Sequence, residues 1–419
     1  MQPPPMKNDC FAMPPGVDWT PVDQALAALR QAVSVVVGQE TVATHLAGGR
    51  VLAADVVARR GNPPQANSAV DGYGFAFDAL SGAELETLPL VDGRAAAGQA
   101  FGGAVPAGSA IRILTGAVLP DGVDTVVLEE DTTVGAGKVM FRRGIKRNAN
   151  TRKAGEDFGA GEVILPQGRW LTPADLGLAS AAGIGDLPVF SRLRVGVLST
   201  GAEVVPVGET AEPDKIYDAN RPMLRDILRR WGFDPVDLGH VGDDADALQA
   251  RLDDAAGRVD AILTSGGASA GDEDHVSAVL GSHGTLHTWR IAVKPGRPLA
   301  MAMWQGVPVF GLPGNPVAAF VCTLVFGYPA LSKMAGAGWQ DRRGFVLPAA
   351  FSKKKKAGRR EFLRARLNAE GLVEAFRSEG SGRIAGLSWA TGLVELPDGA
   401  MDIAEGEPVL FLPYNSFGL

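Results

Sequence analysis

Cysteine is nearly absent. The 419-residue sequence has two, Cys10 in a proline-rich opening and Cys322 inside an apolar run, which supplies neither a disulfide framework nor a zinc site and fits a reducing, cytoplasmic setting. The five histidines, His45, His240, His275, His283 and His287, show no metal-ligand spacing and form no Ser-His-Asp pattern. Positive charge is also short: 40 Lys and Arg stand against 47 Asp and Glu, a formal net charge of −7. Duplex nucleic acid is thereby excluded as a partner, because such binding rests on a surplus of cations facing phosphates. Long apolar runs are missing too, since stretches such as Val317 to Val325 are about half of the roughly 20 residues that span a bilayer. Met1 to Pro15 carries five prolines but no apolar core of a signal peptide, and reads as a disordered tail. No Gly-x-Gly-x-x-Gly, no Walker lysine and no solenoid-length repeat occurs.

What is present is enough for several domains, since single cores stop growing at roughly 250 to 300 residues. With 46% hydrophobic and 21% charged residues, the composition is that of a globular chain. Apolar spacing predicts a helix over Val22 to Val37, entered at Thr20-Pro21. Short alternating segments follow, Val51 to Ala58, Val123 to Leu128 and Lys138 to Phe141, separated by Gly and Pro turns, as in a β-rich domain. Thr172 and Pro173 announce a helix over Leu171 to Ala182. From Leu193 the pattern becomes strand, Gly-rich loop, helix, repeated: strands Arg194 to Leu198, Pro235 to Val241 and Val259 to Leu263, with helices Arg221 to Trp231 and Asp244 to Ala256 between them. Alternation of this kind implies a parallel sheet covered on both faces, with ligands beyond its C-terminal strand ends. After Trp339 the chain is again strand-like to its end.

The chemistry gathers in the loops. Ser199-Thr200-Gly201 and Thr264-Ser265-Gly266-Gly267 end two sheet strands, where glycine admits a ligand close to the backbone and free N–H groups form an anion-binding concavity. Glu203, Asp243, Asp272 and Asp274 lie at or beside these loops. Bare carboxylates repel a phosphate, so a bridging Mg²⁺ is the natural resolution. Lys294-Pro295-Gly296-Arg297-Pro298 follows a strand, and Gly311-Leu312-Pro313-Gly314-Asn315-Pro316 precedes an apolar helix whose dipole favours an anion. Asn67 to Gly74 places Asp71 in a turn, and Arg112 to Gly122 is a strand leaving into a Gly/Pro loop that contains Thr115. Lys353 to Lys356 with Arg359 and Arg360 reads as a solvated hairpin in which one arginine could meet a tetrahedral oxyanion.

Taken in order, these segments resemble the molybdopterin molybdenumtransferase family, MoeA together with the E domain of gephyrin and its plant relatives. The resemblance is carried by NSAVDGYGF from Asn67, RILTGAVLPDGVDTVVLEED from Arg112, AGEDF from Ala154, STGAEV from Ser199, IYDANRPML from Ile216, TSGGASAGDED from Thr264, VKPGRP from Val293 and GLPGNPVAAF from Gly311. Modest departures are Val70, Ala268, Ala270, Arg290 and Arg297, none of which removes a charge. The implied fold is α/β multidomain: a central parallel-sheet molybdopterin-binding domain (188–337), flanked by a β-rich domain (46–158), a small discontinuous linking domain (17–45 and 159–187) and a C-terminal β-barrel-like domain (338–419). The implied assembly is a homodimer whose sites lie between the sheet domain of one subunit and the β-rich domain of the other.

By motif, the resemblance assigns catalysis to Asp71, Thr115, Asp157, Glu203, Asp243 and Asp274, and Mg²⁺ to Glu203, Asp243 and Asp274. Substrate contacts fall to Ser199, Thr200, Gly201, Ser265, Gly266, Gly267, Arg297, Pro313 and Pro316. Lys294, Pro295, Arg359 and Ser381 match positions associated with molybdate. The implied reaction inserts molybdate into adenylylated molybdopterin and releases the molybdenum cofactor and AMP. A pterin adenylyltransferase and molybdoenzyme maturation proteins are the expected partners, without nucleic acid or membrane. Two alternatives are the preceding adenylylation, which needs only the sheet domain, and a gephyrin-like scaffold.

Overall fold

The computed structural model describes residues 19–266, 275–283, 285–296 and 298–419. Of the residues singled out above, Gly267, Ala268, Ala270, Asp272, Asp274 and Arg297 lie outside them, as does the proline-rich opening. The chain divides into two compact units, one of Thr41–Gly48 with Ala54–Pro188, the other of the N-terminal helix, Gly49–Ala53 and Val189–Leu419.

The first unit is built on β1 (Gly72–Phe75), β2 (Leu85–Ala95), β3 (Ala110–Ile113), β4 (Thr125–Leu128), β5 (Thr132–Gly135) and β6 (Lys138–Arg142). They form one curled sheet in the order β4-β1-β3-β2-β6-β5, antiparallel except for the β2–β3 pair. Phe75 and Phe141 stack at 5.1 Å between centroids over a core that includes Leu88, Val127 and Val139. The predicted helix at Thr172-Pro173 is present as Pro173–Ala181, with the Thr172 hydroxyl and the Asp175 carboxylate capping each other's backbone N–H, a reciprocal cap that satisfies two otherwise orphaned donors.

In the second unit the first helix covers Val22–Ala32 and stops five residues before the apolar pattern does. Val33-Ser34-Val35-Val36-Val37 is mostly β-branched, which costs χ1 freedom in a helix, and the Val36 amide instead donates to the Met334 carbonyl at 3.1 Å. The central sheet contains β7 (Arg194–Thr200), β8 (Asp234–Val241), β9 (Ala261–Ser265), β10 (Thr285–Arg290), β12 (Pro298–Trp304) and β13 (Val307–Leu312), while β11 (Val293–Lys294) leaves it. Its order is β8-β7-β9-β13-β12-β10. Four neighbouring strands, β8, β7, β9 and β13, are parallel as expected. The sheet is mixed, however, because β12 runs antiparallel to both β13 and β10. The cause is the Gln305-Gly306 turn, with φ of 48° and 84°, a two-residue hairpin connection that can join only antiparallel strands. Helices Ala245–Ala256 and His275–His283 cover a core of Leu198, Leu238, Leu252, Ile262, Leu280 and Trp304.

The apolar run after Pro316 is longer as a helix than as a sequence stretch. Pro316–Met334 is continuous over 19 residues, long and apolar enough to cross a membrane by length and composition, yet 89% of its apolar window is buried inside the protein. A π-helical turn at Thr323–Gly327 lets Pro329 enter the first turn of the following segment, where a missing N–H goes unnoticed. A C-terminal sheet follows, β14 (Phe345–Pro348), β15 (Arg360–Leu367), β16 (Val373–Ala375), β17 (Gly392–Leu396) and β18 (Pro408–Pro413). Its order is β11-β15-β17-β18-β14, with β16 pairing the far end of β15, so that β11 carries Lys294 directly onto β15.

Candidate functional site

The parallel strands β7, β9 and β13 end together at Thr200, Ser265 and Leu312. At that edge Asn220 holds two loops at once: its Nδ2 donates to Ser265 Oγ at 2.7 Å and to the Gly314 carbonyl at 2.6 Å. Gly266, with φ of +103°, closes the same junction, and a Cβ there would stand 2.6 Å from the Thr200 carbonyl oxygen. Only glycine tolerates both the left-handed conformation and that approach. The Glu203 carboxylate folds back against Gly201, and Asp243 Oδ2 accepts from the Ala202 amide at 3.2 Å. Both predicted metal ligands within the described residues therefore flank one turn. His240 Nε2 lies 2.7 Å from the Gly201 carbonyl, so that nitrogen is the protonated one, and Lys215 Nζ donates to the Ala202 carbonyl at 2.9 Å.

The expectation of free loop amides is corrected here. Gly201 N donates to the Val241 carbonyl and Gly266 N to the Leu312 carbonyl, each at 3.2 Å, and Ala202 N is taken by Asp243. Those N–H groups close the strand ends instead of facing a ligand. The half-buried Lys215 ammonium is the described cation at this edge, and buried Ser199 Oγ, Thr264 Oγ1 and Asn220 Oδ1 lack a partner, which marks polar capacity not consumed by the fold.

The second constellation is ionic. Lys294 Nζ lies 2.5 Å from Glu379 Oε2 and 3.5 Å from Glu361 Oε1; Lys353 Nζ lies 3.2 Å from Glu361 Oε2 and also contacts Glu379 Oε1. Two ammonium groups and two carboxylates thus alternate around a closed ring. Burial disfavours the charged Glu379 carboxyl, but hydrogen bonds from Lys294 and Lys353 hold it below the usual range. The lysine run is accordingly not a uniformly solvated hairpin. Lys353–Lys355 pairs with Met401–Ile403, so alternate side chains turn inward: the Lys353 side chain is 12% exposed and Lys354 88%, while the buried Lys355 ammonium donates to the Gly399 carbonyl at 2.9 Å. Arg359 is half-buried. Its neighbour Arg360 is committed to structure, gripping both oxygens of Asp23 at 2.6 and 2.8 Å and pairing with Glu395 and Asp398.

One loop joins the two constellations. A Cβ on Gly296 would meet Pro313 Cγ and Ala318 Cβ, each at 3.6 Å, placing the Lys294-Pro295-Gly296 turn against the 313–318 segment. From that segment the Gly314 carbonyl binds Asn220, and the Val317 amide donates to the Ser381 carbonyl at 3.0 Å. Buried Pro313 and half-buried Pro316 stiffen it.

In the other unit, Thr115 donates to Asp71 Oδ1 through both its amide and its hydroxyl, each at 2.7 Å. These bonds, with Arg112 nearby, hold the exposed Asp71 carboxyl below its ordinary pKa. Arg112 bridges the Tyr73 hydroxyl at 3.0 Å and Glu129 at 2.5 Å. Asp157 is exposed and accepts from Asn62 Nδ2 at 3.0 Å. Lys215, Glu361 and Glu379 were not singled out by sequence; Lys353 entered only within the lysine run, and Asn220 only within the IYDANRPML motif, without a role. A second signal for Asn220 was the helix start, which Asp218 caps through the Arg221 amide at 3.0 Å.

These features define a multidomain protein of the MoeA type. Residues 20–183 match the MoeA N-terminal region (domain I and II), residues 196–333 the probable molybdopterin binding domain, and residues 346–414 the MoeA C-terminal region (domain IV). The chain is 33% identical over 401 residues to the molybdopterin molybdenumtransferase of Haemophilus influenzae, covering 94% of this chain and 98% of that one. It is 36% identical over 379 residues to molybdopterin molybdenumtransferase 2 of Mycobacterium tuberculosis, covering 87% and 93%. The crystal structure of the molybdopterin biosynthesis moeA protein from Pyrococcus horikoshii OT3 superposes with a TM-score of 0.83 at 27% identity, over 95% of this chain and all of that one. The chain belongs to the molybdopterin molybdenumtransferase family.

Proposed function

We propose that the protein is a molybdenum insertase, which takes adenylylated molybdopterin and molybdate and releases molybdenum cofactor and AMP in molybdenum cofactor biosynthesis. The observation that carries this reading is the shared 313–317 loop, tied on one side to the sheet-end loops through Asn220 and on the other to Ser381 and the Lys294 turn. A phosphorylated ligand and an oxyanion can thereby be held by one rigid segment, which is what coupling two reactions on one substrate requires. The match of residues 346–414 to the MoeA C-terminal region favours insertion over adenylylation.

The sheet-end donors fit a hard divalent cation, since Glu203 and Asp243 present carboxylate oxygens at one turn and Mg²⁺ takes oxygen ligands. Glu203 and Asp243, with Asp274, would hold it, and it would supply charge neutralisation to a phosphoanhydride. Lys215 stands beside that turn as a cation for the leaving phosphate. Thr115 holds Asp71 ionised as an acceptor toward the pterin. Lys294, Lys353 and Arg359, with Pro295 and Ser381, position the tetrahedral oxyanion. As two thiol sulfurs bond to molybdenum, one oxo oxygen leaves as water with the two thiol protons, and hydrolysis of the anhydride takes up one water. No protein nucleophile is needed. A cytoplasmic homodimer, in which the Asp71 set of one copy serves the sheet-end set of the other, completes the proposal, with the four-domain division given above.

The test is incubation of the purified protein with adenylylated molybdopterin, molybdate and Mg²⁺. AMP release and active cofactor are expected, both lost in Asp71→Ala and Asp243→Asn with folding retained. Absence of AMP release from the wild-type protein refutes the proposal.

A further inference from the structure

The ring formed by Lys294, Lys353, Glu361 and Glu379 contains a surplus carboxylate. With both glutamates in place the four charges sum to zero, and a neutral pocket gives a dianion no electrostatic reason to enter. The two glutamates are not equivalent. Glu361 lies within β15, its side chain 9% exposed, and its backbone pairs with Lys294 on one side and Leu396 on the other. Glu379 stands in the irregular stretch between β16 and the helix Ala385–Trp389, its side chain 38% exposed.

The backbone around Glu379 is nonetheless fixed. The Arg364 guanidinium donates to the carbonyls of Ser378 and Gly380, the latter at 3.2 Å, and the Ser381 carbonyl is held by Val317 N. Only the side chain of Glu379 is at liberty to leave, by rotation toward solvent, while the loop that carries Ser381 stays in place. Once it leaves, Lys294 and Lys353 share Glu361 as the one carboxylate left in the ring, and the ring's charge rises from zero to +1, which favours an incoming anion.

We propose that Glu379 is a specificity-determining internal counter-ion: its carboxylate occupies the oxyanion's place on Lys294 and Lys353, and an incoming tetrahedral dianion displaces it. This rests on the reading of Lys294 as a molybdate contact. The exchange makes affinity depend on how well an anion competes with a tethered carboxylate. A dianion recovers both ammonium contacts, whereas a monoanion such as chloride or nitrate does not replace them on equal terms.

The experiment is isothermal titration of sodium molybdate, sodium sulfate and sodium nitrate into the full-length protein, using wild type, Glu379→Gln and Lys294→Ala, each checked for unchanged circular dichroism. Removing one competing negative charge from a half-buried site should tighten molybdate and sulfate about five- to tenfold in Glu379→Gln, and should let nitrate bind measurably. Lys294→Ala should abolish binding of molybdate and sulfate. Glu379→Gln binding molybdate no tighter than wild type, or more weakly, while Lys294→Ala loses it, overturns the displacement and leaves the anion site standing. If Lys294→Ala binds molybdate like wild type, the anion site itself is elsewhere and both proposals fail. Glu379→Asp, too short to span both lysines, should fall between wild type and Glu379→Gln; an affinity equal to wild type counts against the bridging geometry.

Discussion

Asn220→Ala removes the one side chain that, among the described residues, ties the end of β9 to the 313–317 loop. Two hydrogen bonds are lost, to Ser265 Oγ and to the Gly314 carbonyl, but the two acceptors fare differently. Gly314 is exposed, so water replaces the amide there and the loss is about 1 kcal/mol. Ser265 is only 4% exposed, and leaving its hydroxyl without that partner costs about 1 to 3 kcal/mol. The sum is a destabilisation of about 2 to 4 kcal/mol, read as a lowered urea midpoint with an unchanged slope. Asn220→Asp separates the bonds from the packing, because it keeps the shape and loses the donor. Its carboxyl would face a carbonyl oxygen in a buried place, which raises its folded pKa above the unfolded value. The folded state then binds the proton more tightly, so this variant should lose stability as pH rises through that folded pKa, a trend absent from Asn220→Ala. A loss below about 1 kcal/mol in Asn220→Ala, or a pH-independent Asn220→Asp, refutes the assignment of this side chain as the link between the loops.

Gly266→Ala should lower stability by about 1 to 3 kcal/mol, since its methyl would be forced on the Thr200 carbonyl at φ of +103°; thermal melts check this, and AMP release should fall with it. Adjacent arginines should separate by assay. Arg360→Met removes the cation shared by Asp23, Asp398 and Glu395, of which Glu395 keeps Arg342, and should cost about 1 to 3 kcal/mol in urea unfolding, whereas Arg359→Lys should raise the molybdate concentration for half-maximal AMP release with little change in stability. Glu379 should also shape the acid limb. Its folded pKa lies below the ordinary 4.5, so its contribution is complete above that value and is lost as pH falls through the lowered one. Glu379→Gln should therefore flatten the loss of stability in acid, and an acid limb identical to wild type would count against the ionic ring.

Local chemistry is what the sequence by itself determined. Thr172-Pro173 announced a helix because a hydroxyl cap and a proline at the first position satisfy backbone groups within four residues of each other. The strands Arg194–Thr200 and Ala261–Ser265 were legible from their apolar stretches Val195–Leu198 and Ala261–Leu263, and glycines marked their ends. The motif order from Asn67 to Phe320 carried the family. Tertiary structure decided the rest, wherever a residue's partner is remote in sequence. The Gln305-Gly306 hairpin made the sheet mixed, and tertiary packing turned a short apolar run into the continuous helix Pro316–Met334. The Gly201 and Gly266 amides, expected to be free for phosphate, were consumed by neighbouring strands. A lysine run that composition describes as solvated became alternately buried once it paired with Met401–Ile403, because a strand sends successive side chains to opposite faces. Lys294 meets Glu361 and Glu379 across 67 and 85 residues. The first pair is fixed by the register between β11 and β15 and the second by the loop that Arg364 holds at Ser378 and Gly380, neither of which local propensity encodes.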